Sequence, residues 1–202
     1  IFSGRAMMES GVVRIGALRI HRCQQDIRHA RPQISRFLPV IQVCRNRNMF
    51  EIVLFEPEIP PNTGNIMRLC ANAGCRLHLV RPLGFSLSAK QLTRAGMDYR
   101  EQMTLMLHDD WPHCRKEFAG RRVFAVTTRG SGRYDRAAFQ PGDALVFGPE
   151  TRGLPVAVLD EFSPAARLRV PMLAGSRSLN LANAVTAVLY EALRQQDFNG
   201  LI

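Results

Sequence analysis

Hydrophobic and polar positions fall into a regular order only from Met49 onward. Residues 50–55 are an almost unbroken apolar run, which predicts a short buried strand. Glu56-Pro57-Glu58-Ile59-Pro60-Pro61 follows as a rigid loop. A helical period then covers 62–73 and stops at Gly74, a residue suited to a left-handed C-terminal cap. Strands are predicted at 76–80, 122–128, 143–147 and 167–170, with a weaker one at 103–107. A short helix is predicted at 88–95. Another is capped by Asp109 or Asp110, runs through Phe118 and tolerates Pro112 in its first turn. A third short helix covers 154–162. The last runs over 179–196, with an apolar stripe of Leu181, Ala184, Val185, Val188 and Leu189 that serves as core or interface. Strand and helix alternating in this way predict an α/β domain with a mostly parallel sheet and flanking helices.

Three loops carry more chemistry than a connection needs. Phe147-Gly-Pro-Glu-Thr-Arg-Gly-Leu-Pro155 spends two glycines and two prolines at the end of a strand, where α/β sheets bind ligands. This predicts a backbone cradle near Gly148, with Glu150 placed by the prolines. Asn62-Thr-Gly-Asn-Ile-Met-Arg68 opens the first helix. It reads equally as an anion site using free backbone N–H groups or as capping by Asn62 with Arg68 as a surface charge. Ser176-Arg-Ser-Leu-Asn-Leu-Ala-Asn183 opens the last helix. Ser176 and Ser178 are the expected caps there, leaving Asn180 and Asn183 for a ligand. Neither a phosphate-binding P-loop nor a dinucleotide glycine fingerprint is present, which disfavours a Rossmann-type nucleotide domain.

The formal net charge of +10 is uneven. Residues 1–48 hold nine arginines against two acids, whereas 49–202 hold 18 basic residues against 15 acids. We read 1–48 as a basic extension, disordered or not native, with Met49 as the natural start. An RNA-binding arm and a transit peptide are the alternatives. Five cysteines without a Cys-x-x-Cys pair imply neither a disulfide framework nor a zinc site. The histidines show no metal-binding spacing and do not read as a set, so no metal is expected. No run reaches membrane-spanning length, and a reducing cytoplasm is the expected compartment.

In this order the three segments resemble the motifs of the SPOUT class of RNA methyltransferases: Asn62-x-Gly-Asn-x-x-Arg68, Phe147 to Pro155, and Ser176-Arg-Ser-Leu-Asn-Leu-x-Asn183. The match is nearest to the TrmL (YibK-like) subgroup, and Met97-Asp98-Tyr99 and Tyr190-Glu191 share it. The resemblance covers 49–202. It implies a deep C-terminal trefoil knot, S-adenosylmethionine as cofactor, a homodimer built partly on the last helix's apolar stripe, and methylation of the ribose 2′-oxygen of the wobble nucleotide in tRNA. It assigns Thr127, Gly148, Glu150, Val170, Met172 and Ser178 to the cofactor pocket, and Asn180 and Asn183 to orienting cofactor or nucleotide. Arg68 and Asn65 become catalytic positions. For Arg68 three roles stay open: a neutral base, a grip on an RNA phosphate, or stabilisation of the developing oxyanion. Tyr190 either bonds the substrate or packs in the dimer. RNA contacts are expected from Arg68, Arg94, Arg129, Arg133, Arg152 and Arg177. The alternatives are methylation of another tRNA or rRNA position or base, and an inactive knotted RNA-binding module.

Overall fold

The computed structural model describes residues 50–86 and 104–202, together with a two-residue antiparallel pairing of Arg14–Ile15 with Leu18–Arg19. The helix expected at 88–95, Arg94 and the Met97-Asp98-Tyr99 segment lie outside the described residues.

Seven strands form one sheet: β1 (Glu51–Phe55), β2 (Arg76–Val80), β3 (Thr104–His108), β4 (Val123–Val126), β5 (Gly132–Arg133), β6 (Ala144–Phe147) and β7 (Arg167–Arg169). Their order is β3-β2-β1-β6-β4-β7-β5, and every neighbouring pair is parallel. Among the described residues four α-helices accompany them: α1 (Pro60–Ala73), α2 (Trp111–Lys116), α3 (Val156–Leu159) and α4 (Leu181–Gln195). Successive strand residues point to opposite faces. Ile52, Leu54, Leu77, Leu79, Leu145 and Phe147 therefore meet α1 and α4 on one side. Val53, Phe55, Val80, Ala125 and Val146 meet α2 and α3 on the other. With both faces covered, the central strands have no reason to alternate with polar residues, hence the unbroken apolar runs.

Element ends differ from expectation where capping decides them. α1 begins at Pro60, because Pro60 and Pro61 fill its first turn, where a missing N–H costs nothing. It ends as expected at Gly74, at φ 65°, whose N–H reaches Ala71 and Cys70 carbonyls. Asp110 caps α2 by accepting from the His113 N–H at 2.8 Å. α4 begins at Leu181 because its cap is Asn180, which accepts from Ala182 and Asn183 N–H at 3.0 and 3.3 Å; the cap is neither Ser176 nor Ser178. The stripe on α4 resolves as core: Leu181, Val185, Val188 and Leu189 are buried within the single chain. β5 was not expected, since two residues after Gly130 leave no pattern to read.

Between β1 and β6 the order of the sheet reverses. The helix after β1 covers one face and the helix after β6 the other. Loops leaving in opposite directions open a crevice at the carboxyl ends of the strands.

Candidate functional site

The loops after β4, β6 and β7, with the approach to α4, enclose a cavity of about 590 Å³. That lies within the range of about 300–1,000 Å³ usual for small-molecule sites. Two glycines bring its walls together. A Cβ on Gly148 would stand 2.3 Å from the Leu154 nitrogen and 2.5 Å from the Gly153 carbonyl carbon. One on Gly130 would stand 2.4 Å from the Leu168 carbonyl carbon. At both places only hydrogen fits between two backbones, so the β6 loop folds tightly on itself and the β4 loop lies on β7. The second contact is sealed by the Thr127 N–H donating to Leu168 oxygen at 2.8 Å.

Thr127, Gly148, Glu150, Val170, Met172 and Ser178 all line this cavity, and so do Arg129, Arg152 and Arg177. Asn180 and Asn183 do not. Asn180 caps α4, and Asn183 is exposed with its N–H on that cap. Asn65 and Arg68 lie outside the lining, on the exposed side of α1. Tyr190 lies on the outer side of α4, 45% exposed, with its ring 6.4 Å from that of Phe198. Arg133 pairs with Asp135 at 2.6 Å.

The three motifs are nonetheless joined. The Glu150 carboxylate accepts from the Glu58 N–H at 2.9 Å, the Ile59 N–H at 3.3 Å and Asn62 Nδ2 at 2.9 Å. It thereby fills the anion position at the start of α1, so that helix end is taken by the protein's own carboxylate and is not open to an external phosphate. The oxygen of the buried Asn62 amide accepts from Asn180 Nδ2 at 2.8 Å. Asn62 is thus a bridge between the β6 loop and α4, and α1 has no side-chain cap.

A second set of contacts ties the β6 loop to the β1 loop. Arg152 donates from Nη1 to Glu58 Oε1 at 3.0 Å and from Nη2 to Glu56 Oε2 at 2.5 Å. Thr151 donates to Glu58 Oε2 through its hydroxyl at 2.6 Å and its N–H at 3.2 Å. Glu56 and Glu58 were passed over in the sequence as part of a proline-stiffened connection. Two acids held between prolines were the available signal.

Against the expectation that the histidines are unrelated, two of them pair, His78 with His108, while His113 bonds Asp110. His78 Nε2 lies 3.0 Å from Glu51 Oε2, and His78 Nδ1 lies 2.9 Å from His108 Nε2. Glu51 is fully buried and also receives Arg76 and Arg121. Burial works to raise its pKa, but the hydrogen bonds from His78, Arg76 and Arg121 outweigh it and hold the carboxylate at about 2. Burial and the neighbouring His78 lower His108 to about 4, so its ring is neutral at physiological pH. The ligand atoms of His78, His108 and Cys114 lie within 4.8 Å of one another. Sequence spacing could not show this, because His78 and His108 meet across neighbouring parallel strands and Cys114 reaches them from α2. Burial pushes the Cys114 thiol up to about 12, the two rings already bond to each other, and His78 also bonds to Glu51, so the cluster as it stands is an internal hydrogen-bonded chain.

Comparison with known proteins agrees with this architecture. The model of the SpoU rRNA Methylase family matches residues 49–190. A tRNA (cytidine(34)-2'-O)-methyltransferase of Methylovorus glucosotrophus (strain SIP3-4) is 60% identical over 154 residues, which are 76% of this chain and 100% of the relative. A solved structure concerned with 2-OH methylation of C/U34 on tRNA is 46% identical and superimposes with a TM-score of 0.71, covering 76% of this chain and 100% of that one. An AdoMet-bound rRNA methyltransferase from Sinorhizobium meliloti is 28% identical with a TM-score of 0.64, over 74% of this chain and 57% of its own. With the family match spanning well over half of its residues, and with the cavity built at the carboxyl ends of a parallel sheet, this chain belongs to the SpoU methylase family.

Proposed function

We propose that the protein transfers a methyl group from S-adenosylmethionine to the ribose 2′-oxygen of the wobble nucleotide, cytidine or modified uridine, in the tRNA anticodon loop. The observation that carries this reading is the 60% identity over the whole length of a tRNA (cytidine(34)-2'-O)-methyltransferase.

The lining of the cavity fits the cofactor. Gly148 and its neighbours Gly153 and Leu154 form one wall of the cavity, where backbone packs on backbone with no room for a side chain. Val170 and Met172 offer apolar surface, and Thr127 and Ser178 offer hydroxyls. The cofactor, when bound, supplies an electrophilic methyl group on its sulfonium. The chain's own task is to align the ribose oxygen and handle the charge that develops there, and alignment alone can provide a large part of the rate. Arg68 acts as a cation: it grips an RNA phosphate or stabilises the oxyanion, with Asn65 beside it. Arg129 and Arg177, exposed at the mouth, meet the RNA backbone.

The functional unit is a homodimer. Since the stripe of α4 is spent on the core, the dimer face is the outer side of that helix, where Tyr190 and Phe198 are exposed. The C-terminal segment passes through a loop to make the deep trefoil knot, residues 49–202 are the catalytic domain, and 1–48 are a basic extension. Among the described residues no helix is long and apolar enough to cross a membrane, and we place the reaction in the cytoplasm with its tRNA.

The test uses purified protein, labelled S-adenosylmethionine and tRNA lacking the modification, followed by nucleoside mass spectrometry. A 2′-O-methylated nucleoside at the wobble position is expected. Label on a base, at another position or only on rRNA would replace the substrate assignment, and no label despite cofactor binding would favour the inactive module.

A further inference from the structure

We propose that Arg152, with Glu56 and Glu58, forms a clasp that positions the cofactor loop against α1, so that Arg152 is a positioning residue for the cofactor and makes no contact with RNA. The proposal rests on the methyltransferase reading of the cavity.

Arg152 lies at its mouth and at first sight belongs to a cationic rim awaiting phosphate. Its fork is committed elsewhere. One terminal nitrogen reaches Glu58 at 3.0 Å and the other reaches Glu56 at 2.5 Å. Facing two carboxylates, its charge is more than neutralised locally, so an incoming phosphate would meet a net negative site. An isolated surface pair would deserve little weight. This one is a network: Thr151 donates twice to the same Glu58 carboxylate, and Glu150 grips the Glu58 and Ile59 N–H groups from the same loop.

The acceptor side is rigid, which makes it a fixed jaw. Glu56 adopts φ +46°, a left-handed conformation that a non-glycine residue holds only where its surroundings impose it. What imposes it is visible: the Glu56 N–H donates to Val80 oxygen at 3.0 Å, and the Gly84 N–H donates to Pro57 oxygen at 2.9 Å. A Cβ on Gly84 would stand 2.8 Å from the Glu58 Cα, so the β2 loop clamps this segment from the other side. The two carboxylates are therefore presented by a segment that does not adapt, and the β6 loop must come to them. Because that loop also makes the Gly148 wall of the cavity, the clasp sets how the wall stands relative to the helix that carries Arg68.

Arg152→Ala, Arg152→Lys and Glu58→Gln are compared with the wild type for cofactor Kd by calorimetry, kcat, and tRNA Kd across a salt series. The expected result is a cofactor Kd raised about tenfold in Arg152→Ala and in Glu58→Gln, with partial rescue in Arg152→Lys, which keeps the charge and loses the fork. A double variant carrying both Arg152→Ala and Glu58→Gln should cost less than the sum of the two single ones, as for two members of one network. The tRNA Kd and the slope of its logarithm against log salt should stay at wild-type values. A slope reduced by about one in Arg152→Ala, as loss of a phosphate contact requires, would overturn the proposal. So would unchanged cofactor affinity in Glu58→Gln. If the wild type methylates no tRNA, the functional reading fails while the cofactor Kd still reports on the clasp.

Discussion

The tightest constraint in the site is at Gly148, and it can be tested with one methyl group. Gly148 has an ordinary backbone φ, so any effect of Gly148→Ala comes from space alone. The added Cβ would lie 2.3 Å from Leu154 N, 2.5 Å from Gly153 C and 3.0 Å from Gly153 Cα. All three are backbone atoms, so no side chain can swing aside. Relief to an ordinary contact requires a displacement of about 1 Å. Leu154 is 2% exposed in the core under α3, so the displacement must fall on residues 149–152. There the Glu150 bond to the Ile59 N–H is already 3.3 Å long and would break. Overpacking of this kind costs about 1–3 kcal/mol. Taking about 2 kcal/mol as the share felt by the ligand, cofactor affinity falls about 30-fold. Calorimetry with S-adenosylmethionine and a thermal melt measure the two parts. Gly153→Ala is the control: its Cβ meets nothing within 4 Å, and it suffers only from φ +66°, a strain of about 1 kcal/mol. Equal losses in the two variants, or wild-type affinity in Gly148→Ala, would refute the steric argument.

Arg68→Lys keeps the charge and removes the planar fork, so turnover should fall at least tenfold with cofactor Kd within about twofold; an unchanged kcat in single-turnover assays would remove Arg68 from the chemistry. Asn180→Ala removes the cap of α4 and the partner of Asn62, and denaturant unfolding should report a loss of about 1–2 kcal/mol, with Asn180→Asp restoring the cap but not the donation to Asn62. Stability should also fall in acid. The His108 pKa is lowered in the fold to about 4 from 6.5, so its contribution is complete above pH 6.5 and is lost as pH falls towards 4, on the order of 3 kcal/mol in all. Glu51, held at about 2 from 4.5, adds a second loss as pH falls below 4.5. Urea titrations at pH 7, 6, 5 and 4 test this, and a His108→Asn variant with an equally steep decline between pH 6.5 and 4.5 would count against it.

Much of the architecture was legible because each central strand is buried on both sides. Runs such as Ile52-Val-Leu-Phe55 and Leu145-Val-Phe147 need no partner to be recognised. The loops that make the cavity were legible because close backbone approach demands glycine, and Gly148 announced it. Element ends were misread where two cap types competed: Ser178 and Asn180 are both suitable, and only the fold shows that Asn180 sits at the right φ and ψ. Pairings across the sheet were invisible. Glu51, His78 and His108 meet through strand register, and Arg152 meets Glu56 and Glu58 from 96 and 94 residues away, separations with no sequence period. The stripe on α4 looked the same whether its partner was this chain or another, and packing against the sheet decided it.

The Asn62 amide spans the longest reach in the site, bonded to Glu150 88 residues ahead and to Asn180 118 residues ahead. During synthesis α1 therefore emerges with its bridging side chain unpartnered; Glu150 can meet its amide nitrogen first, and its oxygen waits for Asn180. Contacts this distant form late, after the sheet between them exists. A truncated or stalled chain lacking α4 would own most of the sheet and the β6 loop, yet have nothing to hold the start of α1 against the C-terminal motif. The link between the first and third motifs thus exists only once Asn180 has joined the fold, so a chain stopped before it would hold the first two motifs together without the third.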